Sequence, residues 1–264
     1  MRHAPPRTLS PSLHSQLSAA GKAALTSITS LVVATSPLAA AFLRGPLGKA
    51  TPAGAVILPE LSLAGNSAGA VPPSPGDVGV TLFLAGSATM IALAQVPALP
   101  DGRAPALAAA LVGLVPHAAA VVSLGSIPGR CLAGPGGAAA LADAAGSGSA
   151  LSLETPQLTA GVPAGAPAAP PPLPPGAAVT GLAAAVVGLA AAMGRPGLCV
   201  VGVDASAGSP PAAGLESVAA GMAAGLARAG VDAGVVDGVR GGAAAAAAEL
   251  GAADKAAARS VVYF

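Results

Sequence analysis

Residues 177–203 read AAVTGLAAAVVGLAAAMGRPGLCVVGV. The first 17, Ala177 to Met193, carry no charge and end at Gly194, which predicts a helix with a glycine stop. After Arg195-Pro196, Leu198 to Val203 (LCVVGV) is apolar throughout, as in a parallel strand buried on both faces. A buried helix followed at once by a buried strand is the repeating unit of an α/β fold.

The neighbouring segments continue the pattern. Downstream, Gly214 to Ala229 predicts a helix closed by Gly230, Val231 to Val236 a last strand, and Gly242 to Arg259 an alanine helix strained at Gly251. Upstream, Ala118 to Leu124 predicts a strand, and Ala104 to Val115 a helix with leucines at 107, 111 and 114. Val78 to Leu84 and Thr89 to Val96 read as two strands joined by Ala85-Gly86-Ser87. Ile28 to Ala34 is a β-branched run. Ser36-Pro37 then opens a helix through Leu43 that Gly45-Pro46 stops, and Ala55 to Leu63 offers a further strand. The expected fold is α/β: a mainly parallel sheet flanked by Ala-rich helices.

Composition marks the interruptions. Residues 125–176 hold Gly-Pro-Gly-Gly at 134–137, Gly-Ser-Gly-Ser at 146–149 and Pro170-Pro171-Pro172-Leu173-Pro174-Pro175. They read as a long, flexible Gly/Pro-rich loop insertion ending in a polyproline II spacer. Residues 1–27, with Pro5, Pro6 and Pro11, read as a disordered extension. The expected organisation is this extension, one α/β domain over 28–259, and a mobile C-terminal tail over 260–264.

The bulk composition excludes several functions. A net charge of +1 without a basic stripe gives no nucleic-acid footprint. Cys131 and Cys199 lack any CxxC spacing, which fits a reduced compartment rather than a disulfide framework. Ala177–Met193 falls short of the roughly 20 strongly apolar residues of a membrane span, so a buried helix is expected and no membrane partner. The 36 glycines and 27 prolines approach low-complexity levels, but the surviving periodicity points to codon bias rather than disorder.

No motif supports catalysis. Gly65-Asn66-Ser67-Ala68-Gly69 matches the nucleophile elbow, but Pro72, Pro73 and Pro75 forbid the helix that must follow the serine. Gly45-Pro46-Leu47-Gly48-Lys49-Ala50-Thr51 has a late first glycine and no hydroxyl after its lysine, so it cannot serve as a phosphate loop. Gly134-Pro135-Gly136 lacks the third glycine of a dinucleotide fingerprint. His3, His14 and His117 are scattered, so no metal or cofactor is expected. The loop after Val203 begins at Asp204, at the carboxyl end of a strand, where α/β folds bind small ligands, yet no partner residues accompany it.

The chain ends Val262-Tyr263-Phe264, and Tyr263 is its only tyrosine in the absence of any tryptophan. The α-carboxylate is charged at neutral pH. A tyrosine beside it supplies a rigid apolar body with a polar tip. Together they form a compact anionic peg that a pocket with a lysine or backbone N–H groups could capture.

Endings of this hydrophobic–tyrosine–any-residue (HbYX) type are similar to those of proteins that dock between α-subunits of the proteasome core particle. Ala178-Val179-Thr180-Gly181-Leu182-Ala183-Ala184-Ala185-Val186 resembles the V-x-x-L-P-A-A-V-L stretch of the proteasome assembly chaperone 1 family, with Ala183 at the family's proline. Arg195-Pro196 and the strand ending in Asp204 follow as in that family. Leu31 to Leu43 (LVVATSPLAAAFL) resembles the family's early strand and helix.

The resemblance implies a non-enzymatic chaperone that promotes assembly of the α-ring. It would act as a heterodimer with a second, related chaperone, docking Val262, Tyr263 and Phe264 between α-subunits in the cytoplasm, with the nucleus as a second compartment. Two readings compete. One is an α/β small-ligand-binding protein or enzyme using the loop after Val203. The other is an organellar protein whose basic, acid-free residues 1–27 act as a transit peptide.

Overall fold

The computed structural model describes residues 14–57, 78–94, 102–128, 150–162, 165–175, 177–204 and 212–249. In chain order the elements are β1 (His14–Leu17), α1 (Ala19–Ala24), β2 (Ser30–Ala34), α2 (Pro37–Leu47), β3 (Thr51–Ile57), β4 (Val78–Ala85) and β5 (Thr89–Ala94). Then come α3 (Arg103–Leu114), β6 (Ala120–Pro128), β7 (Ala150–Glu154), α4 (Pro156–Gly161), α5 (Gly181–Ala192), β8 (Gly197–Asp204), α6 (Ala212–Arg228) and α7 (Ala233–Arg240). A last helix, α8, covers residues 243–249.

The strands join in one sheet of order β1-β3-β4-β5-β2-β6-β8-β7. Its centre, β5-β2-β6-β8, is parallel. Antiparallel β4, β3 and β1 extend one side, and antiparallel β7 forms the other edge. The α/β architecture read from the sequence is therefore present, with the parallel strands at its heart.

The central strands are buried on both faces, which is why they read as unbroken apolar runs. On β2, Val32 and Ala34 face a core formed with α2, α6, α7 and α8. Leu31 and Val33 face a second core formed with α3 and α5. Near the β7 edge, Ile127, Leu151, Cys199, Val201 and Val203 pack under Ala183 and Val187 of α5.

Four segments differ from their sequence reading. Residues 14–27 are not all extension: β1 pairs with β3, and Ser18 caps α1 by accepting from the Gly21 N–H at 3.0 Å. A Cβ at Gly21 would lie 2.2 Å from the Ala53 carbonyl oxygen, so only glycine lets α1 sit this close to β3. Residues 1–13 lie outside the described residues.

The 125–176 stretch contains the end of β6, all of β7 and α4. Thr155 caps α4, with Pro156 at its first position. Val231–Val236 is not a strand. The Asp232 carboxylate accepts from the Gly234 N–H at 2.8 Å and starts α7, whose Val235, Val236 and Val239 are buried at helical spacing. Finally, α2 runs past Gly45-Pro46 to Leu47. Pro46 lies in its last turn, buried against Gly238 of α7.

Among the described residues no helix is long and apolar enough to cross a membrane. The expected buried helix is α5, whose Leu182, Ala183, Val186, Val187 and Ala190 lie against the sheet. Gly194, with φ +68, ends it, and Arg195 N–H donates to Ala190 O at 2.8 Å.

Helix α6 packs with unusual closeness. A Cβ on Gly225 would stand 2.6 Å from Val200 Cγ2, and one on Gly221 would stand 2.6 Å from Ala150 Cβ. Gly188 of α5 has open space around its Cβ position. We expect Gly225→Val to cost about 1–3 kcal/mol by overpacking. Gly188→Ala should stabilise by about 0.4–1 kcal/mol through the unfolded chain's entropy. Urea unfolding of the two variants checks both signs.

Candidate functional site

The chemistry-bearing residues are dispersed over the fold. Asp204 ends β8 beside Pro128 of β6, at the carboxyl end of the parallel strands. Its following loop, 205–211, lies outside the described residues. His117 is exposed in the turn between α3 and β6. Gly65–Gly69 and Gly134–Gly136 are outside the described residues. Gly45–Lys49 covers the C-terminal end of α2, where carbonyls, not N–H groups, project, so it offers an anion no cradle. Among the described residues, no group of three His, Cys, Asp or Glu side chains could hold a metal ion.

Cys199 is the one thiol among the described residues. It is buried on β8 opposite Ser123 of β6. Burial pushes its pKa up to about 12. The facing Ser123 hydroxyl pulls the other way, and burial outweighs it. A nucleophilic cysteine needs its thiolate, so Cys199 is a packing residue.

Arg195 and Arg228 are structural as well. Arg195 reaches from the end of α5 to α3, donating through Nη1 to Val115 O at 3.2 Å and through Nη2 to Pro116 O. It thereby satisfies carbonyls at the C-terminal end of α3. The basic-proline dipeptide seen in the sequence is thus a clamp between two helices. Arg228 of α6 forms a bidentate pair with Glu154 of β7, both largely buried, and Glu154 also accepts from Thr159 Oγ1 at 3.2 Å.

The C-terminal helix is fixed before the chain passes beyond the described residues. Ala243 and Ala246 of α8 enter the core under α2. Arg44 of α2 grips Glu249 through Nε at 3.1 Å and Nη2 at 2.8 Å. A Cβ on Gly242 would meet Phe42 O at 3.0 Å, so glycine permits this close seat. Val262, Tyr263 and Phe264 lie outside the described residues. What the fold supplies is the root of that segment, held on α2.

No protein-family model matches the chain. No curated protein matches it in sequence. Solved structures match it in fold. A protein of unknown function from Thermoplasma acidophilum is 14% identical, with a TM-score of 0.54 over 91% of this chain and 92% of that one. PbaA from Pyrococcus furiosus, an archaeal homolog of proteasome-assembly chaperone, is 12% identical, with a TM-score of 0.52 over 84% of this chain and 87% of PbaA. Its monoclinic crystal form gives 13% identity and a TM-score of 0.51, over 86% of each chain. At these identities the likeness establishes a shared fold.

The Cys199 geometry sets a pH dependence. The folded pKa, about 12, stands above the ordinary value of 9.0 for an unburied thiol. Above pH 9 the unfolded state releases a proton that the folded state keeps, so stability falls as pH rises. We expect the native chain to lose up to about 1.4 kcal/mol per pH unit above pH 9 from this group. Cys199→Ala should lack that increment. Denaturant midpoints of both proteins between pH 8 and 11 measure the difference in slope.

Proposed function

We propose that this chain is a non-enzymatic chaperone that promotes assembly of the α-ring of the proteasome core particle. The observation that carries the reading is the fold shared with PbaA, an archaeal homolog of proteasome-assembly chaperone, over 84% of this chain. The C-terminal Val262-Tyr263-Phe264 gives that fold a specific means of contact. In this reading the tail enters a pocket between two α-subunits. The Phe264 carboxylate meets a cationic side chain there, the Tyr263 ring fills the apolar wall, and Val262 adds a small contact.

The body acts by holding this tail and a second one together. The chain pairs with a second, related chaperone in the cytoplasm or nucleus, and each partner offers its own tail. Two weak contacts on one rigid support gain through effective concentration what neither has alone. An ordered root favours this arrangement, because a tether that starts from a fixed helix samples less volume. The docking of α8 through Ala243, Ala246 and the Arg44–Glu249 pair supports that part of the reading.

Immobilised α-subunits and purified chains test the proposal. The intact chain should retain α-subunits. Tyr263→Ala, or removal of residues 262–264, should cut retention by about tenfold or more, equivalent to ~1.4 kcal/mol or more of lost contact. The melting temperature should not change, because in this reading the tail makes contact with a partner and no packing within the chain. An intact chain that retains no α-subunit would sink the chaperone reading. Equal retention by the truncated chain would sink the tail-docking mechanism alone.

A further inference from the structure

The proline run 170–175 is a built part of the surface rather than a spacer. It lies along the outer edge of β7. Ser152 N–H donates to Pro171 O at 2.8 Å, Leu173 N–H donates to Ser152 O at 2.8 Å, and Ser152 Oγ donates to Pro170 O at 2.7 Å. Upstream, Arg228 Nη1 reaches Pro167 O at 3.5 Å. The segment therefore covers a sheet edge that would otherwise expose unpaired backbone groups.

Proline fixes φ near −65°, and each residue that precedes a proline is driven to extended ψ. A run of this composition favours the polyproline II form, with three residues per turn. The burial follows that period. Pro170 is buried, and Leu173, three residues on, packs against the core beneath α5. Pro171, Pro172 and Pro175 are exposed, and Pro174 is half-buried. Pro171, Pro172 and Pro175 thus face away from the body on either side of the inward Leu173, with Pro174 partly covered. Ala177 N–H donates to Pro174 O at 3.0 Å, closing a turn that begins at Pro174 and takes in Pro175, so the run ends in that turn.

We propose that Pro171-Pro172 and Pro174-Pro175 form a docking ridge for a partner domain with an aromatic-lined groove that reads polyproline II. Such grooves take Pro-x-x-Pro segments, the spacing of Pro171 to Pro174 and of Pro172 to Pro175, and they favour a ligand already in its bound shape. Here Ser152 and the sheet edge supply that shape in advance, so the ordering cost is met in folding rather than in binding. No charged residue lies within 165–175, so the ridge suits a groove that selects rings and carbonyls rather than a flanking charge. This surface is separate from the C-terminal tail and does not depend on its role.

The chain contains no tryptophan, so the groove tryptophan of a probe domain reports binding without background. The full chain would be titrated into three probes: profilin, an SH3 domain and a WW domain. A free peptide of residues 167–177 would be titrated in parallel. The expected result is binding of the intact chain to at least one probe, more tightly than the peptide. Pro172→Ala with Pro175→Ala should weaken it about tenfold, the ratio that ~1.4 kcal/mol of lost contact produces. If the double replacement lowers the melting temperature, the two single replacements provide the same comparison. Leu173→Val, on the inward side, should leave binding unchanged. The proposal is overturned if the intact chain binds none of the probes, whether or not the peptide does. It is equally overturned if the proline variants bind as tightly as the native chain.

Discussion

Close approach between layers is the constraint on which this structure depends. The chain has no tryptophan, one tyrosine and three phenylalanines, so it cannot fill space with large rings. Native packing density must then come from short separations between small groups. Gly221 and Gly225 let α6 descend onto β7 and β8, and Gly202 of β8 leaves room for Val218 and Leu38. Gly45 and Gly238 let α2 and α7 touch through backbone, and Gly21 does the same for α1 and β3. Alanine completes the pattern at Ala219, Ala223, Ala243 and Ala246, all buried. An abundance of glycine and alanine that looks like compositional drift is, at these positions, a packing solution.

The same constraint explains what could be read in advance. The parallel strands β2, β6 and β8 were legible because burial on both faces leaves an uninterrupted apolar run. The hairpin of β4 and β5 was legible because Gly86, at φ +61, marks its turn. The edges were not. Strands β1 and β7 owe their existence to pairing with partners distant in sequence, and β7 (ALSLE) has too few large apolar residues to announce itself. Thr155-Pro156 was a usable signal, since it repeats the Ser36-Pro37 cap that opens α2. Helix α7 was hidden by its valines, whose strand preference yields to the Asp232 cap and the spacing of Val235, Val236 and Val239. At the candidate site, Asp204 was placed at its strand end, whereas the inward role of Arg195 depends on α3 and could not be read locally.

The body that results is a poor source of binding hot spots. Such residues are usually tryptophan, tyrosine or arginine in well-packed positions. Among the described residues there is no tyrosine or tryptophan. Arg228 is committed to Glu154, Arg195 to the end of α3, Arg44 to Glu249 and Arg240 to Asp237. Alanine and glycine give little energy per contact, because such small side chains bury little apolar area. On the proposed readings, recognition falls to segments that carry their own shape and chemistry. The terminal Val262-Tyr263-Phe264 would concentrate two rings and a charge in three residues, and the proline ridge would concentrate rigid rings on a segment backed by β7. Both proposals follow from one property: a core closed by small residues leaves little on its helical faces for a partner to hold.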